Sequence, residues 1–113
     1  DDERLMDAVT ALSGSGPAYV FLLLELLEQA GTELGLPAAL SRKLALATVE
    51  GSARLASASS DEPATLRRQV TSPGGTTEKA LQSFNDADLA GIVLRALTAA
   101  RDRGRELAAQ VPY

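Results

Sequence analysis

Between Pro17 and Leu34 lies a stretch that reads as one helix with almost no polar face. Val20, Phe21, Leu22, Leu23, Leu24, Leu26 and Leu27 project nearly all round a 3.6-residue period. A helix of that kind must be enclosed on most sides. A chain of 113 residues can hardly enclose it alone. The stretch is therefore expected at the centre of a core shared by two copies. Composition agrees with an all-α chain. There are 20 Ala and 19 Leu, but only seven Val and Ile together and four aromatic residues. Ala and Leu lose little rotamer freedom in helices, whereas β-branched and aromatic residues favour sheets.

The remaining punctuation predicts a bundle of about six helices in one domain, interlocked as a dimer. The first is expected over Glu3–Leu12, with Leu5, Met6, Val9 and Leu12 on one stripe. Ser13-Gly14-Ser15-Gly16-Pro17 is expected to be a capped turn leading into the second helix. Gly35 is a helix stop, and Pro37 begins a third helix reaching Ala58. Small residues in its middle, Ala45, Ala47, Gly51, Ser52 and Ala53, suit close packing. Pro63 opens a short helix to about Val70. A further one includes Glu78-Lys79-Ala80-Leu81. The last starts near Asp86 to Asp88 and runs to about Ala109, with Leu89, Ile92, Val93, Ala96, Leu97, Ala100 and Leu107 as its apolar stripe.

Several chemistries are excluded by residue type. With no Cys and no His, the chain forms no disulfide, Cys/His metal site, Cys nucleophile or Ser-His-Asp triad. A net charge of −4 argues against nucleic acid. No membrane span is predicted, because the run from Ala18 to Leu27 contains Glu25 and falls short of the roughly 20 residues required. The acidic start, Asp1-Asp2-Glu3, does not resemble a signal peptide. Lacking an initiator Met, the chain reads as a piece of something longer, from the cytoplasm.

One segment invites a ligand. In Ser72-Pro73-Gly74-Gly75-Thr76-Thr77, Ser72 is a good N-cap and Pro73 a good first helical residue. Two glycines then fall in the first turn, where each disfavours helix by roughly 1 kcal/mol relative to Ala. Glycine permits unusual backbone angles and close approach of a ligand. Free N–H groups at a helix start favour anions, and two threonine hydroxyls add to them. The segment reads either as a small anion site or as a tight turn needing glycine for geometry alone. It lacks the GxxxxGK[ST] spacing of a phosphate loop. Glu78 beside it favours a singly charged carboxylate over a phosphate. Gly14 and Gly16 make a poor dinucleotide fingerprint, with no third glycine and no preceding strand. Glu25 and Glu28, at i and i+3, could form an acid and base pair, though a groove or solvent is the simpler place for them.

Two motifs together carry a resemblance over essentially the whole chain. Asp7-Ala8-Val9-Thr10-Ala11-Leu12-Ser13-Gly14-Ser15-Gly16-Pro17-Ala18-Tyr19 closely resembles the start of the C-terminal domain of the pyrroline-5-carboxylate reductases. Residues 66–81, with Val70-Thr71-Ser72-Pro73-Gly74-Gly75-Thr76-Thr77 at their centre, resemble that family's signature. Gly35-Leu36-Pro37 and Arg103-Gly104-Arg105-Glu106-Leu107 fit the same pattern.

The resemblance implies an oxidoreductase that reduces 1-pyrroline-5-carboxylate to L-proline with NADPH or NADH, the last step of proline synthesis. It implies an N-terminal Rossmann domain, absent here, and an interlocked helical C-terminal domain spanning residues 1–113. Some members build larger rings from dimers. The fragment alone is expected to bind no cofactor and to be inactive. Carried over by position, the N–H groups of Gly75, Thr76 and Thr77 hold the substrate carboxylate, and the Thr77 hydroxyl reaches the substrate. Pro73 and Gly74 shape the turn. Val70 and Thr10 lie near the nicotinamide end, and Ser13 and Ser15 are wall residues. Two other readings remain: a helical dimerisation module without a ligand site, and a related cyclic-imine reductase domain.

Overall fold

The computed structural model describes residues 2–110, and among them there is no strand. Six α-helices follow one another: α1 (Asp2–Val9), α2 (Gly16–Glu33), α3 (Ala38–Ala58), α4 (Pro63–Gln69), α5 (Thr76–Asp86) and α6 (Leu89–Gln110). The chain divides into two compact units. One comprises residues 2–20 with 83–110, the other residues 21–82.

In the first unit, α6 packs on α1 and on the segment that follows it. Arg105 lies 3.5 Å from the Asp7 carboxylate, tying the late part of α6 to α1. Asp88 caps α6. Its carboxylate accepts the Gly91 N–H at 3.2 Å and its carbonyl accepts the Ile92 N–H at 3.0 Å.

The expected turn at Ser13–Pro17 is not a break between helices. Thr10–Gly14 is a π-helical turn, and neither Gly14 nor Gly16 has a positive φ. Pro17 has no N–H to give the Ser13 carbonyl, so the ordinary α ladder fails here, and the chain widens its turn instead of reversing. One consequence is length. Helix runs from Asp2 to Glu33, 32 residues, much of it apolar. By length and composition alone, that segment could cross a membrane. A helix meant for the centre of a shared core passes the same test.

In the second unit α2 ends as expected at Gly35. This residue has φ +104 and closes the helix with two bonds, Leu36 N–H to Gly31 O and Gly35 N–H to Thr32 O, both 3.0 Å. Pro37 then precedes α3 as its N-cap. The two helices touch where Gly31 meets Ser41. A Cβ on Gly31 would overlap the Ser41 hydroxyl. Ser41 is 3% exposed, and its hydroxyl donates to the Glu28 carbonyl at 2.8 Å.

No residue of α2 is buried within the chain. Phe21 is 67% exposed and Leu22 53%. The chain as a whole exposes 9110 Å², where a self-contained globular chain of this length exposes about 5,900 Å². Among the described residues the apolar core amounts to Ala11 and Ala45. The apolar helix predicted to need enclosure is indeed unenclosed by its own chain.

Candidate carboxylate site at the start of α5

Helix α4 opens with Pro63 in its first turn and ends with Arg67 and Arg68, which suit the negative end of its dipole. Val70 is its C-cap. Thr71 turns its hydroxyl back to the Arg67 carbonyl, so the chain leaves α4 without an unpaired donor there.

Ser72-Pro73-Gly74-Gly75 then form a four-residue turn, closed by the Gly75 N–H donating to the Ser72 carbonyl at 3.1 Å. Gly74 has φ +72. Proline second and a positive-φ glycine third is the arrangement of a type II turn, since proline presets one angle and only glycine takes the other without strain. A Cβ on Gly75 would lie 3.2 Å from the Ser72 carbonyl oxygen, so a side chain there is also resisted.

This corrects the predicted cap. Ser72 is not the N-cap and Pro73 is not the first helical residue. The helix begins at Thr76. Gly75 is the N-cap, because its carbonyl accepts the Lys79 N–H at 3.3 Å. The predicted cap loses because proline followed by glycine makes a turn of its own, which displaces the helix start by three residues.

The displacement decides which amides are available. The Gly75 N–H is taken by the turn. The Gly74 N–H donates to a carboxylate oxygen of Glu78 at 3.1 Å. The amides of Thr76, Thr77 and Glu78 have no acceptor among the described residues. They sit at the positive end of an 11-residue helix, where aligned peptide dipoles favour negative charge. The sequence reading missed the role of Glu78. It stands three residues after the N-cap, like the acidic member of a capping box, but closes the amide one residue before the cap.

The threonines show which hydroxyls are spoken for. Thr32, Thr48, Thr71 and Thr98 each donate to the carbonyl four residues back, and Thr65 accepts from Arg68. The hydroxyls of Thr10, Thr76 and Thr77 engage nothing among the described residues. Those are the threonines the sequence singles out.

Val70, 66% exposed, precedes the turn by two residues in the same unit. Thr10, Ser13 and Ser15 belong to the other unit, at the π turn. Ser13 gives its hydroxyl to the Val9 carbonyl at 3.0 Å, so helix geometry already uses it. Glu25 and Glu28 do not form a buried carboxylate pair. Both border an open hollow with Arg42, whose guanidinium lies 3.6 Å from Glu28.

Residues 3–107 match a family profile described as pyrroline-5-carboxylate reductase dimerisation. The pyrroline-5-carboxylate reductase of Pseudomonas aeruginosa is 51% identical over 111 residues, covering 98% of this chain and 41% of the relative. A solved reductase from Coxiella burnetii superposes with a TM-score of 0.91 at 43% identity, covering 95% of this chain and 40% of that one. The pyrroline carboxylate reductase of Plasmodium falciparum, solved with NADP bound, gives 0.85 at 38% identity and covers 88% and 38%. The chain thus spans about two-fifths of the length of the proteins it resembles.

Proposed function

The chain belongs to the pyrroline-5-carboxylate reductase dimerisation family, and from that premise we propose that it is the substrate-binding and dimerisation part of a longer reductase. That enzyme reduces 1-pyrroline-5-carboxylate to L-proline with NADPH or NADH. The observation that carries the reading is the start of α5, where the amides of Thr76 and Thr77 and the Thr77 hydroxyl are all without partners.

The substrate is a small ring with one carboxylate and one C=N bond. Two adjacent amides and a hydroxyl at a helix start can hold both oxygens of a carboxylate, and the helix dipole adds to their pull. Glu78 keeps the Gly74 amide occupied and adds a negative charge, so the site suits a singly charged anion. Anchoring the carboxylate fixes the direction in which the C=N carbon points. Positioning of reacting atoms at about 3–3.5 Å removes much of the entropic barrier to transfer. The nicotinamide, when bound, supplies a hydride to that carbon. The ring nitrogen takes a proton from the Thr77 hydroxyl, from water, or enters already protonated. Val70, exposed beside the turn, and Thr10 are the residues this reading places toward the nicotinamide.

The same premise assigns the exposed apolar surface of α2 to a second copy of the chain. A homodimer gives Phe21 and Leu22 the enclosure that one chain does not provide, and further association of dimers is compatible with it. The location that fits this biosynthetic role is the cytoplasm. Residues 1–113, tested apart from the rest of such a reductase, are expected to be inactive. Sedimentation of the chain is expected to give a dimer; a folded monomer would contradict this arrangement.

Replacing Thr77 by Ala in the full-length reductase tests the site. A hydrogen bond to a charged group contributes about 1.5–3 kcal/mol, so KM for pyrroline-5-carboxylate is expected to rise by about tenfold to a hundredfold. Unchanged kinetics would remove Thr77 from the site and favour a helical module without a ligand there.

A further inference from the structure

The π turn contains a contact that the carboxylate site does not explain. In a regular α-helix the Ser15 N–H would bond the Ala11 carbonyl. Here it donates to the Thr10 carbonyl instead, at 2.9 Å. The Ala11 carbonyl is thereby released, on a residue only 3% exposed. A buried carbonyl without a partner is costly. The Tyr19 hydroxyl, eight residues on, donates to it at 2.8 Å.

We propose that Tyr19 is a positioning residue: by occupying the Ala11 carbonyl, its hydroxyl holds the chain in the π register that presents Thr10. The α and π registers compete for the same amide. If the Ser15 N–H returns to the Ala11 carbonyl, the residues up to Thr10 turn against the start of α2 by about 100° and shift by about 1.5 Å. Tyr19 removes that alternative by taking the acceptor. Thr10 is the first residue of the turn, and its hydroxyl is unengaged among the described residues, so its direction follows the register. Wide turns of this type recur at functional sites. The inference rests on the reading that places Thr10 toward the nicotinamide.

The test uses the full-length reductase carrying Tyr19→Phe, Thr10→Val and both together. Hydrogen exchange of the peptide covering residues 10–16 is read first, because it needs no turnover. Tyr19→Phe should change its protection by at least severalfold while peptides from α3 stay as in the parent. Equal exchange in residues 10–16 would overturn the latch whatever the activity. Kinetically, Tyr19→Phe is expected to lower kcat about tenfold and to leave KM for pyrroline-5-carboxylate within about twofold. Thr10→Val should lower kcat similarly. The double variant should be little worse than either single one, since Tyr19 acts through Thr10. Full additivity would reduce Tyr19 to a structural role and overturn the proposal. If Thr10→Val is silent while Thr77→Ala still raises KM, both the placement of Thr10 and this inference fail, and the carboxylate site stands. If Thr10→Val lowers kcat and Tyr19→Phe does not, the inference alone fails.

Discussion

Two short segments of this chain are built from the same residue types and do opposite things. Ser13-Gly14-Ser15-Gly16-Pro17 keeps the chain helical through a π turn, whereas Ser72-Pro73-Gly74-Gly75 stops one helix and starts another. The order of proline and glycine separates them. In the second, proline comes before glycine, so a fixed φ is followed by a residue able to take φ +72, and the chain folds into a type II turn. In the first, proline comes after glycine. Gly16 has no Cβ to clash with the Pro17 ring, so it tolerates the helical region that other residues avoid before proline. The missing N–H of Pro17 then disturbs the ladder without ending it. Glycine content alone carries little information about a turn; its place relative to proline carries most of it.

Substitutions can break this contrast, and the largest effect belongs to the proposed carboxylate site. Gly74→Val forces a β-branched residue into a left-handed angle. It should cost about 2 kcal/mol or more of stability in thermal or denaturant unfolding and should raise KM for pyrroline-5-carboxylate in the parent enzyme. A variant with unchanged stability would show that the positive φ is not obligatory. Tyr19→Phe, which leaves the Ala11 carbonyl without its donor, is expected to cost about 1–3 kcal/mol by the same measurement. The smallest effect has the opposite sign. Gly14 has no positive φ, and a Cβ there would meet the Thr10 methyl at an ordinary 3.5 Å. Gly14→Ala should therefore stabilise by about 0.4–1 kcal/mol, mainly by restricting the unfolded chain. A loss of more than about 1 kcal/mol would mean that the π turn needs glycine after all.

Much of the architecture was legible because it rests on local signals. Gly35 followed by Pro37 marks the end of α2 and the start of α3, and the acidic stretch Asp86 to Asp88 brackets the start of α6. Each is a short-range rule about capping or φ, and each holds in the structure. The π turn was not legible. It combines the gap that Pro17 leaves in the ladder with a choice of acceptor for the Ser15 amide, and a hydroxyl eight residues away takes the Ala11 carbonyl that this amide leaves. The helix start at Thr76 was missed for a related reason. Ser72 and Pro73 satisfy the rules for a cap and first residue, yet they satisfy the rules for a turn as well, and the turn leaves Glu78 to close the Gly74 amide.

From its residues alone the chain was bound to be all-helical and bound to leave α2 exposed. Ala and Leu dominate the composition, and Pro17–Leu34 is apolar nearly all round, with one polar stripe at Glu25, Glu28, Gln29 and Thr32. Those properties depend on residue type and period, which are local. The folded chain alone settles which of several adjacent amides is free to meet an anion. Gly75 loses its N–H to the Ser72 carbonyl and Gly74 loses its N–H to Glu78, and the amides of Thr76, Thr77 and Glu78 are left. A hydrogen-bond donor is available only when every competing acceptor has been served. That balance is set by angles and distances that arise once the turn has formed.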